Sequence, residues 1–124
     1  MDIGFKILLV EDDDDLREML QTILTVHGYT VTEAPGCVHA LELLQQQQFD
    51  LVLLDLALPD GNGFQVAEFI QTNKLPGKVI VMTGSGAVEN ALRCAALGVQ
   101  DYVPKPFKPQ VLLKSIEHAL SVEV

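Results

Sequence analysis

The chain has 124 residues, which fits one domain and can bury a real core. Hydrophobic residues make up 48%, which argues against a disordered chain, and no apolar run approaches the roughly 20 residues that cross a bilayer. The formal net charge of -9 repels nucleic acid on average, so direct nucleic-acid binding is not expected. The start, Met1-Asp2-Ile3-Gly4, has neither the basic nor the apolar region of a signal peptide. Cys37 and Cys94 fall in predicted helices without metal-ligand spacing and read as reduced thiols of a cytoplasmic protein.

In chain order, Lys6 to Val10 reads as a short buried strand. Asp14 to Val26 carries Leu16, Met19, Leu20, Ile23 and Leu24 at helical spacing, and His27-Gly28 stops that helix. Asp13, Asp14 and Asp15 read as the cap and charged first turn of the helix. Tyr29 to Ala34 alternates and predicts a strand near an edge. Cys37 to Gln48 predicts a helix with Val38, Leu41 and Leu44 on its apolar face and a solvated glutamine end. Leu51 to Leu54 is apolar at every position, as in a strand covered on both faces.

Pro59-Asp60-Gly61-Asn62-Gly63 is a loop by composition. Phe64 to Thr72 predicts a helix with Phe64, Ala67 and Ile70 in phase. Pro76-Gly77 turns the chain into a strand from Lys78 to Met82, and Gly84-Ser85-Gly86 is another loop. Val88, Ala91, Leu92 and Ala95 mark a helix that stops at Gly98. Gln100 to Val103 predicts a short strand. Lys108-Pro109 opens the last helix, with Leu112, Leu113, Ile116 and Leu120 on its apolar face. Five repeats of strand then helix predict an α/β fold with a doubly wound parallel sheet and ligands at the carboxyl ends of the strands.

Those strand ends are polar. The first strand runs into Glu11-Asp12, the third into Asp55 and the fourth into Thr83; the fifth leads through Pro104 to Lys105. Two carboxylates about 4 Å apart repel by roughly 4 kcal/mol at an effective dielectric near 20, so a site with three needs a cation or raised pKa values. Mg²⁺ suits such an oxygen-rich site. Asp55 is the best nucleophile candidate, because a carboxylate can attack phosphorus and form an acyl phosphate. Thr83 can donate a hydroxyl to a phosphoryl oxygen, Gly84 leaves room beside it, and Lys105 can pair with a carboxylate or phosphoryl oxygen. The Lys105-Pro106 bond is a candidate for the cis form.

Four motifs stand in order: Val10-Glu11-Asp12 with Arg17 following, Leu53-Leu54-Asp55-Leu56-Ala57-Leu58-Pro59-Asp60-Gly61, Met82-Thr83-Gly84, and Asp101-Tyr102-Val103-Pro104-Lys105-Pro106-Phe107. By these the chain resembles the receiver domain of bacterial two-component response regulators over essentially its whole length, 1–124, as a single domain. The resemblance implies a flavodoxin-like (βα)5 sheet of strand order 2-1-3-4-5. It implies that Asp55 accepts the phosphoryl group. Glu11, Asp12, Asp55 and the backbone carbonyl of Ala57 would hold Mg²⁺, with Mn²⁺ able to substitute. Lys105 would bind the phosphoryl group, while Thr83 and Tyr102 would be the switch hydroxyl and the switch aromatic.

The implied partners are a sensor histidine kinase or phosphotransfer protein, and an output domain or effector engaged through the fourth helix, fifth strand and fifth helix. Homodimerisation through that same face is a further expectation, with no membrane partner. The implied role is a signalling switch, not an enzyme. The Met82 to Gly86 stretch and the Tyr-Val-Pro-Lys-Pro-Phe run look most like receivers that precede transcription-activating ATPase domains. Glu11 replaces the commoner Asp, and the loop after Asp55 reads one residue shorter before its glycine than the form with Met-Asp-Gly.

Three other readings compete. An aspartate-nucleophile phosphohydrolase often carries a second aspartate two residues on, where this chain has Ala57. A flavodoxin needs a phosphate-cradling loop after the first strand, where the acidic run from Glu11 to Asp15 would repel a phosphate. A receiver-like interaction module that works without phosphorylation would not need the acidic pair, Asp55, Thr83 and Lys105 together.

Overall fold

The computed structural model describes residues 4–84 and 88–121. Its main elements are β1 (Lys6–Val10), α1 (Asp14–Val26), β2 (Thr30–Ala34), α2 (Cys37–Gln46), β3 (Leu51–Asp55), α3 (Phe64–Thr72), β4 (Lys78–Thr83), α4 (Val88–Ala96), β5 (Asp101–Pro104) and α5 (Pro109–Leu120). These five strands pair in parallel in the order β2-β1-β3-β4-β5, the expected flavodoxin-like topology. A small antiparallel hairpin, Ala57–Leu58 against Gly61–Asn62, follows β3. Composition shows this stretch only as a loop. Residues 1–3 of the chain start and Ser85-Gly86 of the loop after β4 lie outside the described residues.

Strand alternation divides the core into two layers. Leu8, Val10, Val52, Leu54, Val79 and Val81 pack with α2 and α3 through Ala40, Leu44, Val66, Ala67 and Ile70, and with Cys94 of α4. Ile7, Leu9, Leu51, Leu53, Ile80 and Met82 face α1 and α5 through Leu20, Leu24, Leu112, Ile116 and Ala119. All five residues of β3 are buried, because helices cover both its faces. Each fully buried leucine or isoleucine contributes roughly 2 kcal/mol relative to exposure. β2 is an edge strand, as its mixed sequence predicts.

Local chemistry sets the helix ends. Asp13 caps α1 by accepting from the Leu16 N–H at 3.1 Å, and Asp14 and Asp15 follow in the first turn. Gly28, at φ +92°, lets the chain leave α1 in a conformation that other residues adopt at a penalty. Pro109 opens α5. No helix among the described residues is long and apolar enough to cross a membrane.

The predicted apolar face of α2 is corrected, and on α1 and α4 only some of the apolar residues at helical spacing are buried. On α1, Met19 is exposed, and Leu20 and Leu24 carry the buried face. On α2, Val38 is exposed and Leu41 only half-buried, while Cys37, Ala40 and Leu44 point inward. On α4, Ala91, Leu92 and Ala95 face outward and Cys94 is the buried one among the described side chains, which do not include Val88. Helical spacing identifies an apolar stripe but not which of two adjacent stripes meets the sheet. Smaller shifts occur at strand ends: β3 includes Asp55, β4 includes Thr83, and the last strand runs from Asp101 to Pro104. α2 stops at Gln46, because Gln47 is extended. Both cysteines are buried and free, and burial is the main cause that raises each thiol's pKa.

The topology places the site. The chain steps from β1 outward to β2, then crosses back to β3 on the other side of β1. The carboxyl ends of β1 and β3 therefore form the switch point of the sheet, where crossovers diverge and leave a crevice. Val10 pairs with Leu54, so Glu11 and Asp55 end adjacent strands at the same level.

Candidate functional site

A lysine from the last β–α connection closes the carboxyl-end crevice. The Lys105 Nζ donates to Glu11 Oε1 at 2.7 Å and to Asp55 Oδ2 at 3.0 Å. Glu11 has no exposed surface and Asp55 almost none. Two buried carboxylates on neighbouring strands are thus neutralised in part by one ammonium. Burial is the main influence that raises the Glu11 pKa. The Lys105 hydrogen bond and the Asp13 N–H oppose that rise, and the Asp55 charge adds to it. Burial alone would lower the Lys105 pKa, but its bonds to Glu11 and Asp55 outweigh that and hold the ammonium above its ordinary value.

Asp12 is exposed, unlike Glu11. One carboxylate oxygen each of Glu11, Asp12 and Asp55 lies within 4.8 Å of the other two. The acidic pair is therefore asymmetric: one member is buried against Lys105 and the other is open to solvent. The backbone holds the remaining atoms. Asp13 N–H donates to Glu11 Oε2 at 3.1 Å, and Ala57 N–H donates to Asp55 Oδ1 at 3.1 Å.

Thr83 ends β4 and is buried. Its carbonyl accepts from the Lys105 N–H at 2.8 Å, which ties the lysine's backbone to the neighbouring strand end. The Lys105-Pro106 peptide is cis. A β-carbon at Gly84 would meet nothing within 4 Å, so there is open space beside Thr83. Tyr102 on β5 is half-buried and packs against the layer that includes Cys94. Burial raises its pKa. A cleft of about 480 Å³ lies beside the lysine, between Asp13, Leu16, Gly84, Pro106 and Phe107. A larger hollow of about 600 Å³ lies at the amino ends of the strands, near Phe49 and Gly77, and includes none of the five strand-end residues Glu11, Asp12, Asp55, Thr83 and Lys105.

The structure thus brings Glu11, Asp12, Asp55 and Lys105 into one cluster with Thr83 beside it, and places Tyr102 on the adjoining strand. It also shows supporting residues to which sequence reasoning assigned no role. Asp60 reaches from the loop after β3 to the start of α2, where its carboxylate accepts from Cys37 N–H at 2.7 Å and Val38 N–H at 3.0 Å. Those two bonds hold its pKa below the ordinary value. Gly36 precedes α2 and has no side chain to cap it, so the cap comes from 23 residues away. Only that missing cap could have been noticed in the sequence.

Asn62 accepts from Phe64 N–H at 2.8 Å and starts α3. The glycine pressed against the acidic strand end is Gly63, not Gly61. A β-carbon at Gly63 would run into the Asp55 carbonyl oxygen and lie 2.7 Å from Leu56 Cα. The loop therefore reaches its close-approach glycine two residues later than the motif reading had it.

The donor set fits a hard divalent cation. Three carboxylates converge, each oxygen that is already hydrogen-bonded keeps a second lone pair, and Asp12 remains open to solvent. Carboxylates, a hydroxyl and an ammonium around open space can also receive a phosphoryl group.

Comparison with known proteins agrees with this geometry. The family model for the response regulator receiver domain matches residues 7–117. The chain is 37% identical over 116 residues to the response regulator protein FleR of Pseudomonas aeruginosa, covering 93% of this chain and 24% of FleR. Its curated relatives are longer; the chain spans 52% of one and less of FleR. Among solved structures, the non-phosphorylated HemR receiver domain from Leptospira biflexa superposes with a TM-score of 0.91 at 37% identity, covering 98% of each chain. The response regulator TrrA of Thermotoga maritima, solved in complex with Mg(2+)-BeF, superposes with a TM-score of 0.84 at 30% identity, covering 97% of this chain and all of that one. The strand-end cluster sits on a fold, a sequence and a topology of one kind, and the chain belongs to the response regulator receiver family of two-component systems.

Proposed function

We propose that the chain, as one receiver domain over 1–124, accepts a phosphoryl group on Asp55 from a phosphohistidine of a sensor histidine kinase or phosphotransfer protein. The observation that carries this is the Lys105 ammonium, bonded at once to Glu11 and Asp55 at the switch point of the sheet. Glu11, Asp12, Asp55 and the Ala57 carbonyl would hold Mg²⁺, or Mn²⁺ in its place; the Mg(2+)-BeF complex of TrrA supports this by likeness. When bound, the ion supplies charge neutralisation at the carboxylates and at the oxygens of the transferring group.

An Asp55 carboxylate oxygen forms the new bond to phosphorus as the bond from phosphorus to the imidazole nitrogen breaks, and the imidazole leaves with the electron pair. Ala57 N–H and Lys105 orient the Asp55 carboxylate for that attack. Lys105 then pairs with a phosphoryl oxygen. Hydrolysis of the acyl phosphate resets the domain, so the chain is a switch and not an enzyme acting on other substrates.

Thr83, buried beside open space at Gly84, donates its hydroxyl to a phosphoryl oxygen, and Tyr102 moves inward in response. This biases the face made by α4, β5 and α5 between two states, by no more than the difference in stabilisation allows. Leu92 of α4 and Val111 of α5 are exposed apolar residues there, suited to an output domain, an effector or a second copy of the chain. A cytoplasmic location follows from the kinase partner.

The test is intact-mass measurement after incubation with Mg²⁺ and acetyl phosphate or phosphoramidate, wild type beside Asp55→Asn. One added phosphoryl group on wild type alone is expected. Phosphate retained on the variant overturns the assignment. Failure with every small donor, together with no response to beryllofluoride, would favour a module that works without phosphorylation.

A further inference from the structure

The turn after β1 carries two metal-ligand candidates, and one side chain outside the cluster holds it. Arg17, one turn into α1, donates from Nη1 to the Glu11 carbonyl oxygen at 2.8 Å. Its Nη2 binds Asp14 Oδ1 at 2.7 Å and its Nε binds Glu33 Oε1 at 3.0 Å on β2. The guanidinium is thus anchored on a strand and on a helix, and its side chain is only 17% exposed. The carbonyl it holds belongs to the Glu11-Asp12 peptide. Fixing that plane fixes the direction in which Asp12 leaves the backbone. Asp12 needs such help most, because Glu11 is held by Lys105 and the Asp13 N–H, whereas Asp12 is exposed.

We propose that Arg17 is a positioning residue for the acidic pair, and that its grip on the Glu11 carbonyl sets the divalent-cation affinity of the site. This rests on the metal reading above. The alternative is that Arg17 is only a stabilising surface cation, and the two roles differ in sign. A positive charge near a cation site weakens cation binding, so removing it should strengthen binding if charge is all that matters. Loss of a positioning contact should weaken binding despite the favourable change in charge. Outer contacts that orient metal ligands typically carry 10- to 100-fold in affinity.

The experiment is a titration of the folded protein with Mn²⁺ by electron paramagnetic resonance and with Mg²⁺ by calorimetry, at fixed ionic strength. Wild type is compared with Arg17→Met and Arg17→Lys, each checked for fold by circular dichroism. Arg17→Met is expected to bind Mn²⁺ about tenfold more weakly. Arg17→Lys is expected to bind more weakly too, because it keeps the charge but not the fork that reaches three acceptors. Should Arg17→Met fail to fold, Arg17→Lys carries the test. Unchanged or tighter binding in the folded variants, with wild type binding normally, overturns the positioning role alone. Wild type that binds neither ion at millimolar concentration overturns the metal reading and this inference with it.

Discussion

Helices α1 and α4 each follow a strand that ends at the crevice, but they are held very differently. α1 has an aspartate cap, two fully buried leucines and an arginine tied to two other elements. α4 has one buried residue, Cys94, among its described side chains. Several of its other ties lie at the surface: Arg93 lies 4.2 Å over the Phe64 ring and 3.2 Å from Glu68, and Gln71 donates to the Ala96 carbonyl. The difference teaches where such a domain can afford rigidity. The side that carries Glu11 and Asp12 is fastened so that the carboxylates stay in place. The side that would answer a phosphoryl group is attached by contacts that surface solvent already weakens.

The largest expected effect comes from the fastened side. Leu20→Ala should destabilise the fold by about 3 kcal/mol, whereas Leu92→Ala on α4 should stay within about 0.5 kcal/mol. Denaturant unfolding of both variants checks the contrast, and equal losses would break it.

The next effect sits between the two regions. Lys105→Met leaves Glu11 and Asp55 buried without their ammonium and should cost about 2 kcal/mol, less than for a fully buried pair because the lysine is 21% exposed. Saturating Mg²⁺ should recover much of that loss and raise the melting temperature more in the variant than in wild type. A melting temperature that ignores Mg²⁺ in both proteins would contradict the shared-cation picture.

The smallest effect sharpens how the loop after β3 is fastened. The Asp60 pKa is depressed in the folded state, first by the bond from Val38 N–H and then by that from Cys37 N–H. Its contribution is therefore present above the ordinary value of 3.8 and is lost as pH falls through the lower folded value. Asp60→Asn should flatten the stability profile in that acid window, because it lowers stability at neutral pH and leaves the acid end little changed. Urea unfolding from pH 2 to pH 7 would show it, and an unchanged acid slope would remove Asp60 from its capping role.

Much of this was legible in the residues. Consecutive apolar positions in β1, β3 and β4 reveal buried strands, because burial on both faces removes alternation. The polar residues that end those strands then fall on one edge once the strands are parallel. Four features were not legible. The orientation of α4 is one, because spacing alone does not say whether the sheet or a partner covers Leu92. The Asp60 cap joins residues far apart in sequence, and the requirement for glycine at Gly63 comes from backbone crowding at Asp55. The asymmetry of Glu11 and Asp12 follows from Lys105, which reaches across from residue 105 only when the sheet is assembled.

The most direct measurement locates the phosphoryl group itself. Protein phosphorylated with phosphoramidate and Mg²⁺ would be reduced with borohydride, which converts an aspartyl phosphate to homoserine, and then mapped by peptide mass spectrometry. Homoserine at position 55, absent without Mg²⁺, is the predicted result. Uptake of phosphate with the label at another residue, or with no acyl phosphate to reduce, would contradict the assignment of Asp55 as acceptor.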